Sequence, residues 1–246
     1  MEVPPRIGEL VAAASRITVL TGAGMSAESG VPTFRDAQSG LWARFDAEQL
    51  ATEDAFRRDP ALVFGWYLWR LDLVRAAAPN PGHRALADWA RASDVRLITQ
   101  NVDDLHERAG SDVLAHLHGS LADFRCSGCA TPYRDALPAA APAGRVEPPP
   151  CPACGAAVRP GVVWFGEALP PVAFAQAVQA CRDADLVVVV GTSGLVYPAA
   201  GLPDVAAAEG VPVIEINPTP APISADHRWA TTAALGLPLL AAIATG

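Results

Sequence analysis

The run Ile17-Thr-Val-Leu20, ending in Thr21-Gly22-Ala23-Gly24, constrains this chain more than any other stretch. A short β-branched run reads as a buried strand. Two glycines at its end let backbone N–H groups approach a pyrophosphate. Ser26-Ala27 continues as a small-residue turn, and Ser26 is placed to cap a following helix whose N-terminus favours negative charge. The spacing fits the permissive G-x-G-x-x-A form, although a ligand-free turn between strand and helix would use the same residues.

Further strand-like runs follow at Val95–Thr99, Val113–Leu117, Val162–Trp164, Leu186–Val190 and Val211–Ile216. Helical stretches are expected at Met1–Ser15, Phe45–Phe56, Pro60–Ala78, His83–Ala92 and Pro171–Ala180. Strands alternating with helices predict an α/β fold with a Rossmann-like, doubly wound parallel sheet. Phe45 to Ala78 separates the first two strands by far more than an ordinary connection, so it reads as a helical insert. Cys126 to Cys154 has a different composition, with four cysteines, several prolines and little periodicity.

Eighteen Lys and Arg against 26 Asp and Glu leave a formal net charge of -8. That balance argues against nucleic-acid partners, because neutralising phosphates takes clustered basic residues. The first residues lack the pattern of a secretory leader, and no apolar run approaches the ~20 residues of a membrane span. A cytoplasmic monomer is the expectation, without membrane partners.

Cys126-Ser-Gly-Cys129 and Cys151-Pro-Ala-Cys154 are paired C-x-x-C knuckles with 21 residues between them. Four thiolates satisfy tetrahedral zinc and leave no open position, so such a site is structural. Two disulfides or a redox pair are the alternatives. Cys181 lies outside this pattern and reads as a core cysteine.

The continuation Glu28-Ser-Gly-Val-Pro-Thr-Phe34-Arg35 is too specific for a generic turn. With Gly22-Ala-Gly24 it resembles the opening motif of the sirtuins, NAD-dependent protein lysine deacylases, whose usual Pro-Asp-Phe-Arg reads Pro-Thr-Phe-Arg here. The resemblance implies NAD contacts from Gly22, Ala23, Gly24, Ala27, Glu28, Phe34 and Arg35. Thr99-Gln-Asn-Val-Asp-Asp-Leu-His106 could be a capped helix start, yet it also matches the sirtuin T-Q-N-x-D-x-L-H string. By that likeness Gln100 meets the nicotinamide ribose, and Asn101 and Asp103 form the catalytic nicotinamide pocket. His106 reads as structural.

His116-Leu-His118-Gly119 offers two histidines, expected to face opposite ways. The resemblance assigns the general base to His118, and a neutral imidazole suits a ribose hydroxyl proton at neutral pH. His116 is expected to be structural. Arg159-Pro-Gly-Val-Val-Trp-Phe-Gly-Glu167 resembles the sirtuin segment that pairs with substrate peptide, with Val162, Val163 and Phe165 lining an acyl-lysine tunnel. Gly191, Thr192, Ser193, Asn217 and Pro218 follow late strands where sirtuins hold the adenosine side of NAD, and Ala233 loosely matches a last adenine contact.

Tyr67 and Arg70 lie three apart, on one helical face. In an arbitrary helix the tyrosine would pack and the arginine would be solvated. At this place, Tyr-x-x-Arg resembles the sirtuin class that removes succinyl and malonyl groups, where a guanidinium forks to a carboxylate.

The resemblance implies an NAD-binding domain over 1–37, 80–121 and 158–246, a helical insert over 38–79 and a zinc module over 122–157. It implies removal of succinyl, malonyl and acetyl groups from lysine side chains of proteins. NAD is consumed, and one Zn2+ is held per chain. A plain deacetylase, a mono-ADP-ribosyltransferase and a non-catalytic NAD sensor are the competing readings.

Overall fold

The structure, a computed structural model, describes residues 2–32, 46–140 and 144–245. Among the described residues six strands form a parallel sheet: β1 (Arg16–Thr21), β2 (Asp94–Thr99), β3 (Val113–His116), β7 (Leu186–Val190), β8 (Val213–Ile216) and β9 (His227–Trp229), while β4 to β6 form a second sheet. Their order is β3-β2-β1-β7-β8-β9. The chain fills one side outward from β1 and then returns to fill the other from β7. The strand order therefore reverses between β1 and β7, where open α/β sheets leave a crevice at their carboxyl ends.

All five residues of β7 are buried, as a parallel strand covered on both faces requires. Val188 and Val190 face a layer containing Ile7 and Val11 of α1 (Pro5–Ala13), Leu86 and Trp89 of α5 (Pro81–Ala92) and Leu237 and Leu240 of α9 (Ala233–Thr245). Val187 and Val189 face Ala177, Ala180 and Cys181 of α7 (Pro171–Asp183) and Leu202 and Ala206 of α8 (Leu202–Ala208). Cys181 is a fully buried core thiol, and burial raises its pKa to about 12.

The insert holds α2 (Ala47–Leu50), α3 (Glu53–Arg58) and α4 (Pro60–Ala76). The helix expected over Phe45–Phe56 is interrupted because the Thr52 side chain accepts from Ala55 N and starts a new helix there; Phe45 lies outside the described residues. Asp59 caps α4 in the same way, with Pro60 at its first position. Phe64, Trp66, Tyr67, Leu68 and Leu71 of α4 are all buried, in one core with Leu121, Phe124, Val158 and Trp164.

Leu121, Phe124 and Val158 come from the second sheet, which is antiparallel: β4 (Gly119–Cys126), β5 (Pro132–Tyr133) and β6 (Val158–Val162), in the order β5-β4-β6, and Trp164 follows β6 by two residues. The strand expected at Val162–Trp164 instead ends at Val162 and belongs to this small sheet. No described helix is long and apolar enough to cross a membrane.

Candidate active site

The crevice is closed at its base by contact between two glycine turns. Gly22 N donates to Val190 O at 3.0 Å, and Gly24 N donates to Gly191 O at 2.8 Å. Gly191 has φ +60°, and a Cβ there would stand 2.6 Å from Gly24 C, so neither turn has room for a side chain at this crossing. Above it lies a cavity of about 420 Å³.

The helix expected after Gly24 does not form. Two short 3-10 turns, Ala23–Met25 and Ala27–Ser29, take its place. Ser26 has φ -99° and ψ -3°, not the extended backbone of an N-cap, and makes no capping bond. Its hydroxyl instead donates to Asp103 Oδ2 at 2.9 Å and accepts from Asn101 Nδ2 at 3.2 Å.

The turn after β2 is tied down at several points. Gln100 N donates to Thr21 O, Asn101 N donates to Thr99 Oγ1, and Asp103 Oδ1 accepts from Leu105 N. Gln100, Asn101 and Asp103 all line the cavity. Burial raises the Asp103 pKa, opposed by its bonds to Leu105 N and Ser26. His106 sits beneath, 3.0 Å from Thr21 Oγ1, and burial depresses its pKa to about 3.

His118 Nδ1 lies 2.9 Å from Gln100 O. A carbonyl only accepts, so Nδ1 carries the proton and Nε2 keeps its lone pair. Burial lowers the pKa of this ring, and the Gln100 bond acts the other way. Gly119 follows with φ +74°, and a Cβ there would meet Gly161 O at 2.1 Å. That close approach seats β6 beside the histidine. His116 has other surroundings, with Nε2 2.6 Å from Glu107 Oε1. Strand alternation is not the reason, since residues two apart share a face; β3 simply ends at His116.

Tyr67, Arg70, Val162, Val163, Trp164 and Phe165 form another part of the cavity lining. Trp164 Nε1 donates to the Tyr67 hydroxyl oxygen at 3.0 Å. Burial pushes the Tyr67 pKa up, so it stays protonated. Burial also lowers that of Arg70, while Tyr67 and Asp103 raise it. A guanidinium so placed keeps its charge. Its central carbon stands 5.0 Å from the centre of the Trp66 ring.

Gly22, Ala23, Gly24, Gly191, Thr192, Ser193 and Asn217 line the far end. Asn217 Nδ2 donates to Thr192 O at 2.8 Å. Ala27, Glu28, Pro218 and Ala233 do not line the cavity. The Glu28 carboxylate accepts from Ala234 N at the start of α9, Ala233 is buried against the core, and Pro218 is exposed. Phe34 and Arg35 lie outside the described residues. Sequence reasoning missed Glu215. It is buried in β8 and accepts from Arg228, Ala221 N and Asn217 Nδ2. A lone carboxylate inside an apolar strand was the available signal. Thr219, Pro220, Ala221 and Tyr197, also missed, line the cavity beside Asn217 and Ser193.

Away from the cavity, the Sγ atoms of Cys126, Cys129, Cys151 and Cys154 lie within 4.8 Å of one another. Pairs stand 3.3, 3.5 and 3.7 Å apart, close to the ~3.8 Å edge of a tetrahedron of thiolates around zinc. Cys129 N and Gly128 N donate to Cys126 Sγ, which lowers the pKa of that thiol, and Ala153 N donates to Cys151 Sγ. The donor set fits one structural zinc.

A family model described as the Sir2 family matches residues 22–198. The NAD-dependent protein deacylase of Mycobacterium tuberculosis is 59% identical over 210 residues, spanning 85% of this chain and 88% of that protein. NAD-dependent protein deacylase 1 of Pseudomonas aeruginosa is 57% identical over 216 residues, spanning 86% of each. A crystal structure of a Sir2 homolog in complex with NAD superposes with a TM-score of 0.90 at 42% identity, covering 99% of this chain and 94% of that one. The paired glycine turns, the polar turn after β2, the histidine ahead of a four-cysteine module and these matches all lead to one assignment: the chain belongs to the Sir2 family.

Proposed function

We propose that this chain is an NAD-dependent protein lysine deacylase that acts on succinyl and malonyl lysine and also on acetyl lysine. The relatives' shared name, NAD-dependent protein deacylase, supports the reaction. The acyl range is carried by one observation: Tyr67 and Arg70 line the same cavity as Asn101, Asp103 and His118. An acetyl group needs only an apolar wall. A carboxylate brought into the same poorly hydrated place costs several kcal/mol unless a fixed partner meets it. Arg70 supplies that charge, and the protonated Tyr67 hydroxyl supplies a further donor.

NAD is the co-substrate, with its phosphates against the Gly22 and Gly191 turns and its nicotinamide end toward Gln100, Asn101 and Asp103. The acyl oxygen attacks the ribose carbon that bears nicotinamide, and nicotinamide leaves. His118 Nε2 takes the proton of the 2′-hydroxyl, whose oxygen attacks the acyl carbon. The proton held by His118 passes to the lysine nitrogen as the carbon–nitrogen bond breaks. A water then adds to the acyl carbon, and cleavage of the bond from that carbon to the 1′-oxygen leaves free lysine and O-acyl-ADP-ribose. Zinc takes no part in these steps and holds the Cys126–Cys154 module together.

Mass spectrometry of one peptide carrying succinyl, malonyl or acetyl lysine, with and without NAD, tests this. Loss of the acyl mass should require NAD and release an equal amount of nicotinamide. A peptide that gains ADP-ribose, or one that does not change, would overturn the reading.

A further inference from the structure

Trp164 stands at the junction of two groups of contacts. On one side its indole N–H donates to the Tyr67 oxygen at 3.0 Å. On the other, the Arg159 guanidinium carbon lies 3.3 Å from the centre of the indole ring. Arg159 is itself 5% exposed and forks to both oxygens of Glu167, with a further bond to Val162 O. Glu167 Oε2 also accepts from Trp164 N at 2.8 Å. The Phe56 ring packs 5.3 Å away. The indole is thus held by both its ring and its backbone, and its N–H direction is fixed.

An indole N–H only donates, and a carboxylate only accepts. In the Trp164–Tyr67 bond the tyrosine oxygen is therefore the acceptor, and the Tyr67 proton is not consumed. We infer that Trp164 is a positioning residue for acidic acyl groups: its N–H occupies the Tyr67 oxygen and commits the Tyr67 proton to the bound carboxylate. Without that N–H, the Tyr67 oxygen draws on other donors, the Arg70 guanidinium one helical turn away among them. A donor diverted to tyrosine is lost to the acyl group. An acetyl group has no carboxylate, so its binding does not depend on this arrangement. The inference rests on the acidic-acyl reading above and adds the residue that orients its tyrosine.

The test is Trp164→Phe, which keeps an aromatic ring against Arg159 and Phe56 and removes the N–H. Steady-state kinetics are compared on one peptide with succinyl or acetyl lysine. The KM for the succinyl peptide should rise about five- to tenfold with kcat within about twofold, the scale of one neutral hydrogen bond. The acetyl peptide should change by less than about twofold. Trp164→Phe combined with Tyr67→Phe should behave as Tyr67→Phe alone, because both act through one hydroxyl. Equal losses on both peptides, or additive effects in the double variant, would overturn the inference. If Trp164→Phe folds poorly, replacing Trp164 by benzothienylalanine preserves the bicyclic shape and loses only the N–H; the same outcomes then decide. A wild type inactive on succinyl peptide would refute the acidic-acyl reading itself. An active wild type whose acyl preference ignores the Trp164 N–H refutes this inference alone.

Discussion

Ser26 Oγ donates to Asp103 Oδ2 at 2.9 Å while accepting from Asn101 Nδ2 at 3.2 Å, so one hydroxyl bolts the turn after β1 to the turn after β2. Ser26→Ala leaves the buried Asp103 with one donor fewer and frees the Asn101 amide. Bonds to charged groups contribute about 1.5–3 kcal/mol, so kcat/KM should fall about ten- to a hundredfold. Deacylation kinetics beside a thermal melt check this. Unchanged kinetics with a lowered Tm would mean that the hydroxyl serves folding alone.

His118→Ala should reduce deacylation by about 10²–10⁴-fold, the usual scale for losing a general base. NAD affinity, read by calorimetry, should persist. Burial lowers the pKa of His118 below its ordinary 6.5, so the base is unprotonated at neutral pH. The kcat/KM profile should be flat near neutrality. It should drop as pH falls through a value below 6.5, where protonation removes the Nε2 lone pair. A base limb centred above pH 7 contradicts this assignment.

Arg70→Met should cut desuccinylation by about 10²-fold or more, the scale of one buried charge-assisted pair, and leave deacetylation level or raised. Tyr67→Phe should cost about tenfold on succinyl peptide. Should Arg70→Met depress both activities by one factor, the arginine is structural and acyl choice lies elsewhere.

The metal module should report on the acyl site. Arg145 forks to Asp59 at 2.6 and 2.7 Å, and Val146 N donates to Ala61 O, which ties the loop ahead of Cys151 to the start of α4. Metal analysis should find about one zinc per chain. Cys126→Ala or Cys154→Ala should yield unstable or insoluble protein, since metal binding and local folding are coupled. A soluble, active protein free of zinc would refute the structural role.

The His83 and His106 rings pack at a tilt of 58° with centroids 4.8 Å apart, and burial depresses their pKa values to about 4 and about 3. Their unfolded forms take protons near 6.5, so the unfolded chain binds more protons between the two values. Stability is complete above about 6.5 and drains away as pH falls, by about 1–2 kcal/mol for each histidine near pH 5. His116 runs the other way, because its bond to Glu107 raises its pKa. Thermal melts from pH 8 to pH 5 should show a falling Tm, and His83→Asn should flatten the slope. A Tm that holds steady to pH 5 would show that the pair does not stay neutral in the fold.

The chemistry legible in the sequence is the kind that demands particular residue types at short spacing. Gly22-Ala-Gly24 after a β-branched run, two C-x-x-C knuckles and the polar run Gln100 to Asp103 each answer a local requirement: backbone approach, four thiolates, donors at a strand end. Leu186–Val190 was legible as a strand because burial on both faces leaves it no polar positions. Packing between distant residues decided the rest. Ser26, expected to cap a helix, was claimed by Asp103, 77 positions away. Glu28 was claimed by the backbone of α9, 206 positions away. Val162, read as the start of a strand, ends one, because β6 pairs with β4 and leaves the parallel sheet. Tyr67 and Arg70 were visible as a pair, yet nothing near them in sequence named Trp164, 97 positions on, as the donor to Tyr67. A hydrogen bond needs its atoms about 3 Å apart, and for residues so far apart in the chain only the packed fold sets that distance.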